Sequence, residues 1–240
     1  MKKKMYAMLV TEFIGTALLT LVVLSIKNSP IGIPYFIALG VGLAYAGLIF
    51  FANFEEEEAG VTWIPQFNPA LSLALWTVKK IKTLETALNI AMQFAGAYLA
   101  FMLYGYLFNN KLPNIAGHYS TRVLLAEAIG TFIFVLVIAA SVYRKAYVGA
   151  TSAVIGGIAY TLGIIVASPA AGNALINPAV ALGINSFSWN VYVLGPVVGG
   201  VIAINLYSLL YTSKKTSVAK VVAKVSSVRG KTNTNTKKKK

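Results

Sequence analysis

Cysteine and aspartate are absent from this 240-residue chain, and histidine occurs once. Without thiols there is no disulfide, no thiolate metal site and no redox switch. Seven glutamates make up the whole acidic complement. A carboxylate cluster for a metal, or an acid–base pair for catalysis, is hard to build from so few, and neither metal nor cofactor is expected. No nucleophile–base pair or phosphate-binding loop stands out, so the sequence does not read as an enzyme. Charge as a whole is scarce: 12% of residues are charged, where a soluble domain has roughly 25%.

What is there instead is apolar. Hydrophobic residues make up 57% of the chain, and mean hydropathy is +0.70. This describes an integral membrane protein with little outside the bilayer. The net charge of +14 is no nucleic-acid signature, because the basic residues fall in loops and tails between apolar runs; no nucleic-acid partner is expected. A membrane-spanning helix needs about 20 apolar residues. Six segments qualify: 6–26, 35–54, 84–107, 123–142, 148–167 and 189–211. Two more, about 69–77 and 178–187, are apolar but too short to cross. The first run follows Met1-Lys2-Lys3-Lys4 as a signal peptide would, but it is long and no small-residue cleavage site follows it. It reads as an uncleaved first span after a short N-terminal segment, 1–5.

The two halves repeat. Glu12-Phe13-Ile14-Gly15-Thr16 in the first span is echoed by Glu127-Ala128-Ile129-Gly130-Thr131 in the fourth. Gln93-Phe94-Ala95-Gly96-Ala97 in the third is echoed by Pro196-Val197-Val198-Gly199-Gly200 in the sixth. The short segments follow the second and fifth spans, and each opens with Asn-Pro-Ala: Asn68-Pro69-Ala70 and Asn177-Pro178-Ala179. Proline at the first helical position needs no donor, and asparagine is a good N-cap. Each triplet therefore starts a helix whose positive dipole end lies inside the membrane. Three spans per repeat is an odd number, so repeat two (about 123–211) enters inverted relative to repeat one (about 6–107), with interrupted segments marking a site near the midplane.

Basic residues set the orientation. Apart from the tail 212–240, eight (Lys2, Lys3, Lys4, Lys79, Lys80, Lys82, Arg144, Lys145) fall on one side and three (Lys27, Lys111, Arg122) on the other. The positive-inside rule puts both termini in the cytoplasm. The tail carries ten more, ending in Lys237-Lys238-Lys239-Lys240; it reads either as a lipid-surface segment or as a disordered one.

These features resemble the aquaporins of the major intrinsic protein family. The resemblance covers about 6–211 and rests on the paired Asn-Pro-Ala, the Glu-x-x-Gly-Thr echo, Gln-x-x-Gly-Ala, and Trp189-x-x-Tyr192-x-x-Gly195-Pro196-x-x-Gly199-Gly200. It implies an all-α bundle of six transmembrane helices plus two half-helices, in a homotetramer with one pore per protomer. It also implies that Asn68 and Asn177 turn their amides to passing water, while the half-helix ends exclude cations and protons. The function implied is a passive channel for water. Glycerol, urea, ammonia and hydrogen peroxide are further candidate solutes, and the alternatives are a coupled transporter or a channel selective for a neutral solute other than water.

Several positions depart from the family pattern. Where the outer constriction usually has an arginine after the second Asn-Pro-Ala, this chain has Val180. The resemblance places the other constriction residues at Ala174, Val41 and either Ile164 or Ile165, giving an apolar ring. Ala181 replaces the aspartate that marks the glycerol-selective branch. Gln66 stands where a histidine is common, and is a pore-lining candidate. Glu12 and Glu127 lie inside spans, where carboxyls are costly. They are either a proton relay or acceptors that hold the loops before the short helices, and the family pattern favours the second. Glu55-Glu56-Glu57-Glu58 reads as a solvated loop, with gating as the sharper alternative, and His118 as a loop residue. Gly15, Gly96, Gly130, Gly199 and Gly200 are expected to serve close helix packing. Tyr104, Tyr106, Tyr192 and Tyr211 are expected to form an interfacial belt.

Overall fold

A computed structural model describes residues 2–28, 34–52, 64–109, 120–144, 146, 149–171 and 174–211. The Glu55–Glu58 run, His118 and the basic tail lie outside these residues. The elements are α1 (Lys2–Lys27), α2 (Pro34–Ala52), α3 (Pro69–Thr77), α4 (Thr83–Phe108), α5 (Thr121–Tyr143), α6 (Gly149–Ala171), α7 (Pro178–Gly183), a π-helical turn at Trp189–Val193, and α8 (Leu194–Tyr211). The described elements are all helical, and six stretches are long and apolar enough to cross a bilayer. Many of their large apolar side chains face outward, among them Phe50, Phe51, Tyr106 and Leu209, which suits a lipid surroundings. The elements up to Leu209 form one unit.

Small residues let the spans approach one another. A Cβ on Gly96 would run into the Phe13 carbonyl of α1, and one on Gly199 into the Ala128 carbonyl of α5. These are equivalent contacts in the two repeats, each one residue after the echoed glutamate. At the α2–α6 crossing, a Cβ on Gly157 would lie 2.8 Å from the Gly42 carbonyl oxygen. At the α5–α6 crossing, Gly130 and Gly163 face each other's carbonyls at 2.6 and 2.7 Å by the same measure. Without side chains at these points, dispersion contacts extend along the backbones, which is how helices associate in lipid.

The two short helices end alike. Lys79 and Asn185 take positive φ, 59° and 58°. Lys80 N–H donates to the Leu75 carbonyl and Ser186 N–H to the Ala181 carbonyl, both at 2.9 Å. This is the Schellman pattern, which satisfies the last carbonyls and stops the helix. It is why α7 stops at Gly183 rather than continuing toward residue 187. The last span opens on a π turn, with Leu194 N–H donating to the Trp189 carbonyl. Pro196 has no N–H for the Tyr192 carbonyl, so the α-helical ladder is interrupted there.

Candidate functional site

The short helices meet end to end through their capping asparagines. Asn68 Oδ1 accepts from Ala70 N–H at 2.9 Å, while its Nδ2 donates to the Ile176 carbonyl at 2.9 Å. Asn177 Oδ1 accepts from Ala179 N–H at 3.0 Å, and its Nδ2 donates to the Phe67 carbonyl at 2.8 Å. Each amide thus caps its own helix with oxygen and bridges to the opposite loop with nitrogen. The residues before the asparagines have the left-handed backbone that turns these carbonyls across the pseudo-twofold, with φ of 50° at Phe67 and 47° at Ile176. For β-branched Ile176 that conformation is costly, so something must hold it.

The echoed Glu-x-x-Gly holds it. Glu12 Oε1 and Oε2 accept from the Gln66 and Phe67 N–H groups, each at 2.8 Å. Glu127 does the same for Leu175 and Ile176, at 2.8 and 2.7 Å. Three residues on, the same helix face carries glycine. A Cβ on Gly15 would strike the Phe67 ring, and one on Gly130 would lie 2.9 Å from Ile176 Cγ2. The glutamate takes the two N–H groups and the glycine leaves room for the side chain that comes with them. These carboxyls are fully buried and spent on backbone donors.

The repeats differ in what surrounds these anchors. Gln93 Nε2 gives Glu12 a third donor at 2.8 Å and also reaches Ser72 Oγ at 3.0 Å. Ser72 Oγ and Asn89 Nδ2 both donate to Gln66 Oε1 at 2.9 Å, and Gln66 Nε2 donates to the Ile64 carbonyl. The buried Asn89 Oδ1 has no hydrogen-bond partner among the described residues. The positions matching Gln66, Ser72 and Gln93 in repeat two are Leu175, Ala181 and Pro196, and that matching Asn89 is Tyr192, so three of the four polar side chains of the cluster have no polar counterpart in repeat two. Gln66 is therefore buried in a network next to the first Asn-Pro-Ala.

Val41, Ile164 and Val180 are buried, and Ile165 and Ala174 are partly buried against the same core. Val41 lies on α2, Ile164 and Ile165 on α6, Ala174 just before the second lead-in, and Val180 in the first turn of α7, its N–H 3.4 Å from Asn177 Oδ1. Two residues that the sequence reading passed over stand beside them. Tyr45 and Tyr160 are wholly buried, 0% and 1% exposed. Tyr45 Oη donates to the Gln66 carbonyl at 3.0 Å, and Tyr160 Oη to the Leu175 carbonyl at 3.3 Å. The signal was available: a tyrosine deep in an apolar span needs a partner for its hydroxyl, and these two lie four residues from Val41 and Ile164. Two expected belt residues belong elsewhere. Tyr104 and Tyr192 are buried among the helices, whereas Tyr106 and Tyr211 are exposed.

The family model described as "Major intrinsic protein" matches residues 1–207. A probable aquaporin, AqpM, of Archaeoglobus fulgidus is 31% identical over 82% of this chain and 89% of its own. The aquaporin AqpM of Methanothermobacter thermautotrophicus is 30% identical over 84% of this chain and 96% of its own. Among solved structures, the aquaglyceroporin of Plasmodium falciparum shares the fold, with a TM-score of 0.66 at 21% identity, covering 86% of this chain and 96% of that one.

Proposed function

The chain belongs to the major intrinsic protein family, and from that membership we propose that it is a passive transmembrane channel for water. Small uncharged solutes (glycerol, urea, ammonia, hydrogen peroxide) are its further candidate cargo. The observation that carries this reading is the reciprocal bridge of Asn68 and Asn177 between two opposed helix N-termini. An amide NH2 has two hydrogens. One of each is committed to the opposite loop, and in the conducting state the second serves a passing oxygen. The positive helix ends beside it disfavour cations and protons. A coupled transporter would need its membrane carboxyls for an ion, and Glu12 and Glu127 are engaged by loop N–H groups instead.

In this reading Val41, Ile164, Ala174 and Val180 form the outer constriction, with Ile165 adjoining it. Protomers assemble as tetramers, with both termini cytoplasmic. Without the guanidinium the ring is wider and more apolar, which favours small uncharged cargo beyond water, and exclusion of cations falls to the opposed helix N-termini.

Stopped-flow light scattering on proteoliposomes tests this. Water shrinkage should exceed that of protein-free vesicles, with glycerol or urea influx measurable beside it. Val180→Arg should slow glycerol and urea by about tenfold, equivalent to about 1.4 kcal/mol of added barrier. Unchanged solute influx in a folded Val180→Arg protein would remove Val180 from the constriction.

A further inference from the structure

We propose that Tyr45 and Tyr160 form the narrowest barrier of the pathway, a pair of mutually tilted rings that closes it beside the two asparagines and selects the most compact solutes. This rests on the channel reading above and adds a second selective level to its outer ring. Val41 and Tyr45 lie four apart on α2, and Tyr160 and Ile164 four apart on α6, so each pair shares one helix face. The tyrosines therefore stand one turn from the apolar constriction, on the same wall of the path.

The two rings close on each other across α2 and α6. Their centroids are 4.7 Å apart with planes inclined by 31°. Phe134 packs against both, at 5.6 Å from Tyr45 and 5.0 Å from Tyr160, and Phe67 against Tyr45 at 6.1 Å. Gly156 lies beneath Tyr45, where a Cβ would approach its Cε1 to 3.2 Å. Room for the ring on α6 thus comes from a missing side chain.

The hydroxyls occupy polar groups that a permeating water would otherwise use. In an unpaired extended segment, backbone carbonyls need partners. The carbonyls of Gln66 and Leu175, each two residues before an asparagine, are taken by Tyr45 and Tyr160. The Tyr160 hydroxyl also lies against the Asn177 amide. Asn68 and Asn177 are 0% exposed, so no water path opens on to them in this state. A solute passes only when the rings part and the carbonyls and amides become available. Rings that yield by small rotations admit water or ammonia before a three-carbon polyol.

The test is osmotic water and glycerol flux in proteoliposomes for the wild type, Tyr45→Val, Tyr160→Val, the double valine variant and the double phenylalanine variant. Incorporation is checked by size-exclusion chromatography and quantitative blotting. The double valine variant should conduct water about tenfold faster than the wild type, with a lower activation energy, and its glycerol-to-water ratio should rise. The phenylalanine pair keeps the rings but frees the carbonyls, and should fall between the two. If the double valine variant does not fold, each single variant should still raise water flux about threefold. Wild-type flux equal to that of the folded valine variants would overturn the barrier and leave the channel reading intact. Flux no faster than protein-free vesicles in every folded variant would overturn both.

Discussion

Glu12 and Glu127 hold equivalent stretches of backbone in unequal company. Glu12 has Gln93 as a third partner, and the Gln93 amide can turn its oxygen toward a new donor; Glu127 has the Leu175 and Ile176 N–H groups. Glu127→Gln sets an amide NH2 against one of those N–H groups and leaves a buried donor unpaired. The expected loss is about 1–3 kcal/mol, read as a lower unfolding temperature in detergent, and Glu12→Gln should lose less. Equal stability of Glu127→Gln and wild type would show that the carboxyl is not what holds the strained Ile176 turn. At this scale the sequence was legible wherever chemistry was rare. A carboxyl in a span, or an asparagine before a proline, stands out because lipid makes it costly. Tyr45 and Tyr160 did not stand out, because a tyrosine in an apolar run reads as core or belt until its hydroxyl partner is seen. Nor did Phe67 and Ile176, whose importance lies in backbone angles that no side chain announces.

The elements themselves were legible because a bilayer permits so few solutions. Six long apolar runs had to be helices, since a spanning segment must satisfy its own backbone. Their ends were less legible. α6 runs on to Ala171 with Pro169 inside its last turn, where the missing N–H removes the helical donor of the Ile165 carbonyl and Ser168 Oγ donates to the neighbouring Ile164 carbonyl at 2.7 Å. α7 is cut at Gly183 by the left-handed Asn185, a hydrogen-bonding outcome invisible to hydropathy. The glycines show how position decides the role of one residue type. Gly163 sits where a Cβ would meet the Gly130 carbonyl oxygen at 2.7 Å and Ile176 Cδ1 at 2.8 Å, while at Gly47 a Cβ would meet nothing within 4 Å. Gly163→Ala must push α5 and α6 apart and should cost about 1–3 kcal/mol as an overpacked core does. Gly47→Ala should be neutral or stabilise by up to about 1 kcal/mol through helix propensity. Thermal unfolding of both in detergent checks this, and a destabilised Gly47→Ala beside an unaffected Gly163→Ala would refute the packing account.

For the whole molecule, the repeat is the economical fact. One plan used twice in opposite senses brings two helix N-termini to one point, and every anchor in one half, Glu12, Gly15, Tyr45 and Asn68, has its counterpart in Glu127, Gly130, Tyr160 and Asn177. The polar cluster of Gln66, Ser72, Asn89 and Gln93 breaks that symmetry, so the two sides of the midplane differ in chemistry although the backbone treats them alike. Which side faces the cytoplasm then matters, and only the charge distribution speaks to it. Lys79, Lys80 and Lys82 follow the first half-helix in the sequence and Arg144 and Lys145 follow α5. Because cationic loops are retained on the cytoplasmic side, the polar cluster and the first half-helix's C-terminal end should face inward, with the apolar ring of Val41, Ile164 and Val180 outward. The absence of cysteine makes the protein a clean background for measuring this. In intact cells, a membrane-impermeant maleimide should label His118→Cys and leave Lys238→Cys unlabelled until the membrane is permeabilised. The opposite pattern would turn the molecule over, put the polar cluster outside, and make the apolar ring the cytoplasmic mouth of the path.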